Sequence, residues 1–154
     1  MSIIADIYAP KIPTLYTQIP HARVIGSFQC SQFNDFRTAE FLIDSGASFT
    51  TLLPYHVIAL DIDWENLANA RTPCMIANGE PIYAKLLPDV ELHINRNDGK
   101  PKSEEIFVLP YIHVIPVPMR QRIPVSASLL GMDVLRNFPN WHWDFDNMYL
   151  TLSR

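Results

Sequence analysis

The chain has 154 residues, which is the size of one ordinary domain and too short for two independent ones. Apolar residues make up 48% of it and charged residues 18%, a balance typical of a folded globular protein. The 12 lysines and arginines are scattered among 16 acidic residues, and the net charge is −4. This pattern disfavours nucleic acid as a partner, because nucleic-acid binding needs clustered basic side chains.

The N-terminal region carries prolines at positions 10, 13 and 20. We predict that residues 1–20 form an extended arm outside the main domain, which spans residues 21–154. The first residues lack the charged-then-apolar pattern of a signal peptide, and no apolar run approaches the ~20 residues that cross a bilayer. We therefore expect a soluble cytoplasmic protein without a membrane partner.

The rest of the chain is interrupted by its 13 prolines and 5 glycines, so no helical period survives for more than about two turns. Short segments rich in valine, isoleucine, phenylalanine and tyrosine lie between these breaks and predict the strands of a small all-β barrel or sandwich. The predicted strands cover residues 22–30, 37–44, 81–87, 90–94, 105–117 and 141–145.

Two short helices are predicted, over residues 54–60, which begin with a proline, and over residues 133–138, which follow a glycine and stop before Pro139. At the C-terminus, alternating aromatic and polar residues predict a hairpin over residues 141–152, with its turn at Asp146 and Asn147.

The most informative stretch is Phe-Leu-Ile-Asp-Ser-Gly-Ala-Ser at residues 41–48. Three large apolar residues run directly into Asp44, so its carboxylate leaves a buried strand for a tight turn that serine and glycine can make. Such a position is costly for a charge. The alternative is a structural turn aspartate, because Asp-Ser/Thr-Gly arises by chance in about one chain in ten at average composition.

A second stretch lies far downstream, where Leu129 and Leu130 precede Gly131 and a predicted short helix. Together, the two stretches resemble the retropepsin family of aspartic proteases, in which an apolar-apolar-Gly segment passes behind the active-site turn. The resemblance covers about residues 22–152. It implies an all-β fold, a closed acid-protease barrel with one or two short helices. It also implies an enzyme that hydrolyses peptide bonds without a metal or organic cofactor.

The resemblance identifies Asp44 as the catalytic residue and implies a homodimer. Hydrolysis by this route needs two carboxylates close enough to share a proton, because like charges at that distance cannot both ionise cheaply. The chain has one Asp-Ser-Gly turn and about half the length of a pepsin-like enzyme. The second carboxylate is therefore expected from a second copy across a two-fold axis.

The resemblance also assigns roles around the turn. Ser45 would tie the two turns together across the axis, Gly46 would permit close approach of substrate or backbone, and Ala47 would pack against the segment formed by Leu130 and Gly131.

A flap is likewise implied by the resemblance. Ala77, Asn78 and Gly79 would form its tip and close over an extended peptide or protein substrate.

Other interpretations remain open from the sequence. The chain could be a catalytically inactive dimerisation or peptide-binding module that keeps the barrel, or an enzyme that cleaves only its own N-terminal arm. Asp133 at a helix start favours an N-terminal or capping role rather than a second catalytic one. The five histidines show no ligand spacing, so no metal site is expected, and Ser48 lacks the sequence frame of a serine nucleophile.

Overall fold

The computed structural model describes residues 2–8, 21–75, 81–115 and 127–154. Twelve strands and two short helices lie in these ranges. In chain order they are β1 (Ser2–Tyr8), β2 (His21–Cys30), β3 (Phe33–Ile43), β4 (Thr51–Leu52), α1 (Pro54–Ala59), β5 (Ala68–Asn69), β6 (Cys74–Met75), β7 (Pro81–Ile82), β8 (Lys85–Asn95), β9 (Glu104–Val114), β10 (Ser128–Leu130), α2 (Met132–Leu135), β11 (Asn140–Asp144) and β12 (Tyr149–Ser153).

The strands form a closed barrel. Neighbouring pairs run β2-β3-β10-β4-β9-β8, and a further pairing between β8 and β2 closes this ring of six. Within the ring, β10 lies parallel to β3 and β4 lies parallel to β9, whereas the remaining pairs are antiparallel. The prediction of a closed all-β barrel with one or two short helices is confirmed.

The barrel core follows from the alternation of apolar and polar residues along the long strands. Val24, Phe28 and Phe41 of β2 and β3 are buried. Leu92 and Ile94 of β8, which pairs with the other edge of β2, are buried in the same core cluster. Because side chains alternate between the two faces of a strand, the residues between them point outwards. None of the helices among the described residues is long and apolar enough to cross a membrane.

The N-terminal strand lies beside the ring of six strands. β1 pairs with β12 on one side and with β2 on the other, and Ile3, Ala5 and Ile7 are buried. Ser2–Tyr8 therefore lies outside the closed ring, but its alternate apolar side chains belong to the hydrophobic core. Residues 9–20 lie outside the described residues.

The other local predictions agree with the structure in part. The strand predicted over residues 81–87 is divided between β7 and β8, with residues 83–84 in neither, and residues 116–117 of the strand predicted over 105–117 lie outside the described residues. The predicted helices appear as α1 and α2, and the C-terminal hairpin as β11 and β12, with an Asp144 carboxylate oxygen accepting the Asn147 N–H at 2.9 Å in the turn. The predicted break between residues 87 and 90 does not occur, since β8 continues through Pro88. Instead, both Leu87 and Val90 are buried, so the strand changes the face that it presents to the core.

The position of β10 depends on a glycine. A Cβ atom on Gly131, directly after β10, would lie 2.7 Å from both the Phe49 carbonyl oxygen and the Thr50 nitrogen. These are backbone atoms, which cannot move without displacing the chain that precedes β4. A Cβ on Gly26 would also be crowded, but by side-chain carbons of Phe41, Ile94 and Leu92 at 2.9–3.2 Å.

We expect Gly131→Ala to destabilise the protein more than Gly26→Ala does. Overpacking against movable side chains costs about 1–3 kcal/mol, and the immovable backbone at Gly131 should bring the loss above that range. Urea unfolding of both variants measures the difference. Equal losses would contradict the assigned backbone contact.

A histidine on the outer surface of the barrel bridges two acids. His93 contacts Glu91 through Nε2 at 2.6 Å and Glu104 through Nδ1 at 2.8 Å, and the Phe36 ring packs on it with centroids 4.6 Å apart. Burial lowers the pKa of His93, but the hydrogen bonds and charges of the two glutamates outweigh burial, so the pKa lies above its ordinary value.

We expect this cluster to make stability depend on pH. A raised pKa in the folded state stabilises the protein fully below the unfolded value of about 6.5, and the contribution is lost as the pH rises through the folded value. The free energy of unfolding should therefore fall more steeply with pH, above about 6.5, for the wild type than for His93→Gln. Parallel pH profiles of the two proteins would show that His93 is not the responsible group.

Candidate active site

Asp44 lies at the end of β3, where the turn begins. Its backbone N–H donates to the Leu130 carbonyl at 3.1 Å, which continues the parallel pairing of β3 with β10. One carboxylate oxygen accepts the Gly46 N–H at 2.9 Å, and the Asp44 carbonyl accepts the Ala47 N–H at 3.2 Å. Among the described residues, the second carboxylate oxygen has no hydrogen-bond partner, so one oxygen is anchored and the other is available.

The tip of the turn faces solvent. Ser45 and Gly46 are exposed, whereas Asp44 and Ala47 are partly buried. A Cβ atom on Gly46 would lie 3.1 Å from the anchored carboxylate oxygen of Asp44, which leaves little room for a side chain there. The turn therefore presents a fixed carboxylate at an accessible surface.

The second half of the turn is tied to the start of α2. The Met132 N–H donates to the Ala47 carbonyl at 2.8 Å, and the Asp133 N–H donates to the Ser48 carbonyl at 3.1 Å. Together with the bond from Asp44 to Leu130, these contacts fasten both sides of the turn to one continuous segment. The structure thus brings Asp44–Ala47 and the Leu130–Gly131 segment together.

The remaining residues of the two predicted stretches fall as follows. Leu129 lies in the middle of β10, paired with Leu42 on one side and Thr51 on the other. The flap residues Ala77, Asn78 and Gly79 lie outside the described residues. The short strands β6 and β7 on either side of them pair with each other.

Asp133 has a structural position. Its Oδ1 accepts hydrogen bonds from the Thr50 N–H at 2.9 Å, the Thr50 hydroxyl at 2.8 Å and the Val134 N–H at 3.0 Å. The fully buried Thr50 hydroxyl in turn accepts the Gly131 N–H at 3.1 Å. Asp133 therefore joins the start of α2 to the chain leaving the turn. It lies in the first turn of α2, as an N-terminal role requires, but the N-cap residue is Gly131 and α2 has no side-chain cap hydrogen bond.

Sequence reasoning missed the role of Thr50. The sequence offered one signal, because Thr50 stands at the start of a short apolar segment where its hydroxyl would be buried. A buried hydroxyl needs a hydrogen-bond partner.

An aromatic cluster follows the turn and was also missed. Phe49, which is 38% exposed, packs on His113 with ring centroids 4.5 Å apart and on Tyr111 at 5.9 Å. Burial lowers the pKa of His113, although the Asp133 charge opposes the effect, so the imidazole is neutral at physiological pH. The surface beside the turn is therefore aromatic and uncharged.

A serine and a histidine do meet, but inside the protein. Ser128 Oγ lies 2.8 Å from His56 Nδ1 and accepts the Leu53 N–H at 3.0 Å. Ser128 is fully buried and His56 is 5% exposed, and burial lowers the pKa of His56. This pair joins α1 to β10 and is closed to substrate, so it gives no support to a serine-hydrolase interpretation.

No group of three or more histidine, cysteine, aspartate or glutamate side chains that could hold a metal ion occurs in the described part of the chain.

Comparison with known proteins was informative at the level of three-dimensional structure. No family model matches the sequence. No curated protein matches it either. Among solved structures, the chain is similar to the crystal structure of a retropepsin-like aspartic protease from Rickettsia conorii, with a TM-score of 0.53 and 21% sequence identity. The match covers 99% of this chain and 89% of the other.

The similarity extends over the whole barrel and is not confined to the sequence stretches that first indicated it. The chain forms a six-strand barrel that the pairing of β8 with β2 closes, and β10 lies parallel to the strand that ends at the Asp-Ser-Gly turn. Its structure matches that of an aspartic protease along nearly its full length. The chain therefore has the retropepsin-like fold of aspartic proteases.

Proposed function

We propose that the protein is an aspartic endopeptidase that acts as a homodimer, with Asp44 of each copy as the catalytic carboxylate. The observation that carries the proposal is the placement of this side chain. One oxygen is held by the Gly46 N–H at 2.9 Å, the turn is fastened to β10 and α2, and its tip is exposed. A carboxylate fixed in this way at an open turn is suited to activating water.

The proposed chemistry uses the pair of carboxylates as one unit. Two Asp44 side chains brought close together share one proton, because both cannot remain charged at that distance. The ionised member takes a proton from water as the oxygen attacks the scissile carbonyl carbon. The protonated member donates its proton to the carbonyl oxygen. Collapse of the tetrahedral intermediate then breaks the C–N bond, and a proton passes to the leaving amine.

A second copy completes the site because each chain supplies one such turn. The exposed tip at Ser45 and Gly46 is free to meet its own symmetry mate, and C2 dimers are the commonest homo-oligomers. In this arrangement the Ser45 hydroxyl ties the two turns together. Ala47 keeps the turn against the Leu130–Gly131 segment.

The substrate in this proposal is an extended peptide or protein segment. The flap role of Ala77, Asn78 and Gly79 remains a prediction, as does the cytoplasmic location. The aromatic surface formed by Phe49, Tyr111 and His113 lies beside the turn and would contact apolar substrate side chains.

We expect Asp44→Asn to abolish cleavage of an unfolded protein substrate. The change removes both acid and base from the pair, and such groups contribute about 10²–10⁴-fold to rate. Asp133→Asn is the matched control, because its amide oxygen can still accept the Thr50 hydrogen bonds, so it should stay active. The measurement is kcat/KM across acid to neutral pH, with mass in solution determined for each protein.

Two outcomes would contradict the proposal. A wild-type dimer without any cleavage activity would indicate the inactive binding module instead. Equal activity of the wild type and Asp44→Asn would assign catalysis to other residues.

We also expect Asp44→Asn to inhibit the wild type when the two are mixed and allowed to exchange subunits. With random pairing, a nine-fold excess of the variant should lower wild-type activity to about one tenth, because most wild-type subunits then sit in mixed dimers with one catalytic aspartate. Asp133→Asn added in the same excess should raise total activity instead. An unchanged rate with Asp44→Asn would mean that each chain works alone.

A further inference from the structure

A groove outside the Asp44 turn runs along β9. It has a volume of about 710 Å³, and its floor includes the exposed outer residues Ile106, Val108 and Pro110. Val108 is 80% exposed and Ile106 is 57% exposed, which is unusual for large apolar side chains at the centre of a long strand. The opposite wall is formed by α2 and its C-terminal continuation.

The edge of β9 along this groove has no strand beside it in the described part of the chain. β8 pairs with one edge along the whole length of β9, whereas β4 meets the other edge only at His113 and Val114. The Arg96 N–H donates to the Ser103 carbonyl at the mouth of the β8–β9 hairpin. Because bonding alternates along an antiparallel pair, the backbone groups of Ile106 and Val108 then point away from β8.

The groove carries an excess of positive charge. Arg136 is exposed and has no ion-pair partner among the described residues, and Arg154 lies 3.4 Å from the Glu105 carboxylate. Arg96 approaches the other oxygen of Glu105 at 3.7 Å. Of the charged side chains that line the groove, Arg136 and Arg154 are basic and Asp133 is acidic, in a protein whose net charge is −4.

We propose that this groove binds an extended peptide carrying acidic side chains. The peptide adds as a strand to β9 at Ile106–Val108 and places a carboxylate near Arg136 and Arg154. Strand addition supplies main-chain hydrogen bonds and the apolar floor supplies contact area, whereas the arginines select for negative charge. The site does not use Asp44 and goes beyond the proposed catalytic function.

The position of the groove relates it to the turn. Ser48 and Phe49 line one end of it, and both directly follow the Asp44 turn in the chain. A peptide held on β9 therefore leads towards the candidate active site.

The experiment measures fluorescence anisotropy of a fluorescein-labelled heptapeptide of alternating valine and aspartate, titrated with the Asp44→Asn protein, which cannot consume the probe. We expect saturable binding to this protein. The affinity should fall at least about tenfold when asparagine replaces aspartate in the peptide, and by a similar factor when the protein carries Arg136→Glu. Arg71→Glu makes the same charge change at another exposed position and should bind as tightly as its parent.

A second pair of variants tests strand addition separately from charge. Val108→Pro removes an N–H that faces the groove and is not needed by β8, so the barrel should persist while binding falls at least about tenfold. Val108→Thr keeps the N–H and should retain binding. Far-ultraviolet circular dichroism checks that both variants are folded.

Several results would overturn the proposal. Equal affinity for the asparagine peptide, or unchanged affinity in Arg136→Glu, would contradict the charge selection. Unchanged affinity in a folded Val108→Pro protein would contradict strand addition. If Arg136→Glu and Val108→Pro instead convert a dimer into monomers without peptide present, the occupant is a second copy of this chain and the peptide proposal is wrong. Since Asp44→Asn is the parent protein, these outcomes are independent of whether the wild type cleaves peptides.

Discussion

The backbone of Gly131 passes so close to that of Phe49 and Thr50 that no side chain fits between them. This contact lets β10 enter the barrel beside β3 and continue into α2, whose first N–H groups bond to the carbonyls of the Asp44 turn. Asp133 completes the junction by accepting three hydrogen bonds. A single segment therefore joins β3 to β4 in the barrel and holds the turn, so the geometry of the candidate site is set by the same backbone contact as the fold.

Part of this arrangement could be predicted from the sequence. The Phe41–Ser48 stretch predicts a buried strand leading into a turn from its short-range pattern, whereas the position of the Leu130–Gly131 segment behind the turn was implied by the family resemblance. What could not be read was pairing between distant segments. Ser2–Tyr8 carries alternating apolar residues, but only the partner strands β2 and β12 show that they cover the core. The Thr50 network and the aromatic cluster likewise depend on residues over 60 positions apart, which no local pattern links.

The placement of Asp44 at an accessible turn has a consequence for control of the proposed activity. In the proposed dimer, the Asp44 carboxylate meets the like charge of its symmetry mate when two turns come together. Sharing one proton relieves that repulsion, so association and protonation are coupled. Under this scheme, protein concentration and pH act on the same step, because both change the population of dimers that hold one proton between two carboxylates.

The open edge of β9 imposes a different requirement. Within the described ranges, the N–H and C=O groups of exposed Ile106 and Val108 that point away from β8 have no strand beside them, and proteins usually blunt such edges. Pro110 limits the edge at one end, since it has no N–H to donate. In the proposed complex Arg136 acts on selection, because it has no ion-pair partner among the described residues and an acidic strand would supply one, whereas an uncharged strand would not. A strand edge with a basic side chain beside it discriminates among partners by charge. That property is typical of a docking surface, whereas apolar residues exposed by chance would not select by charge.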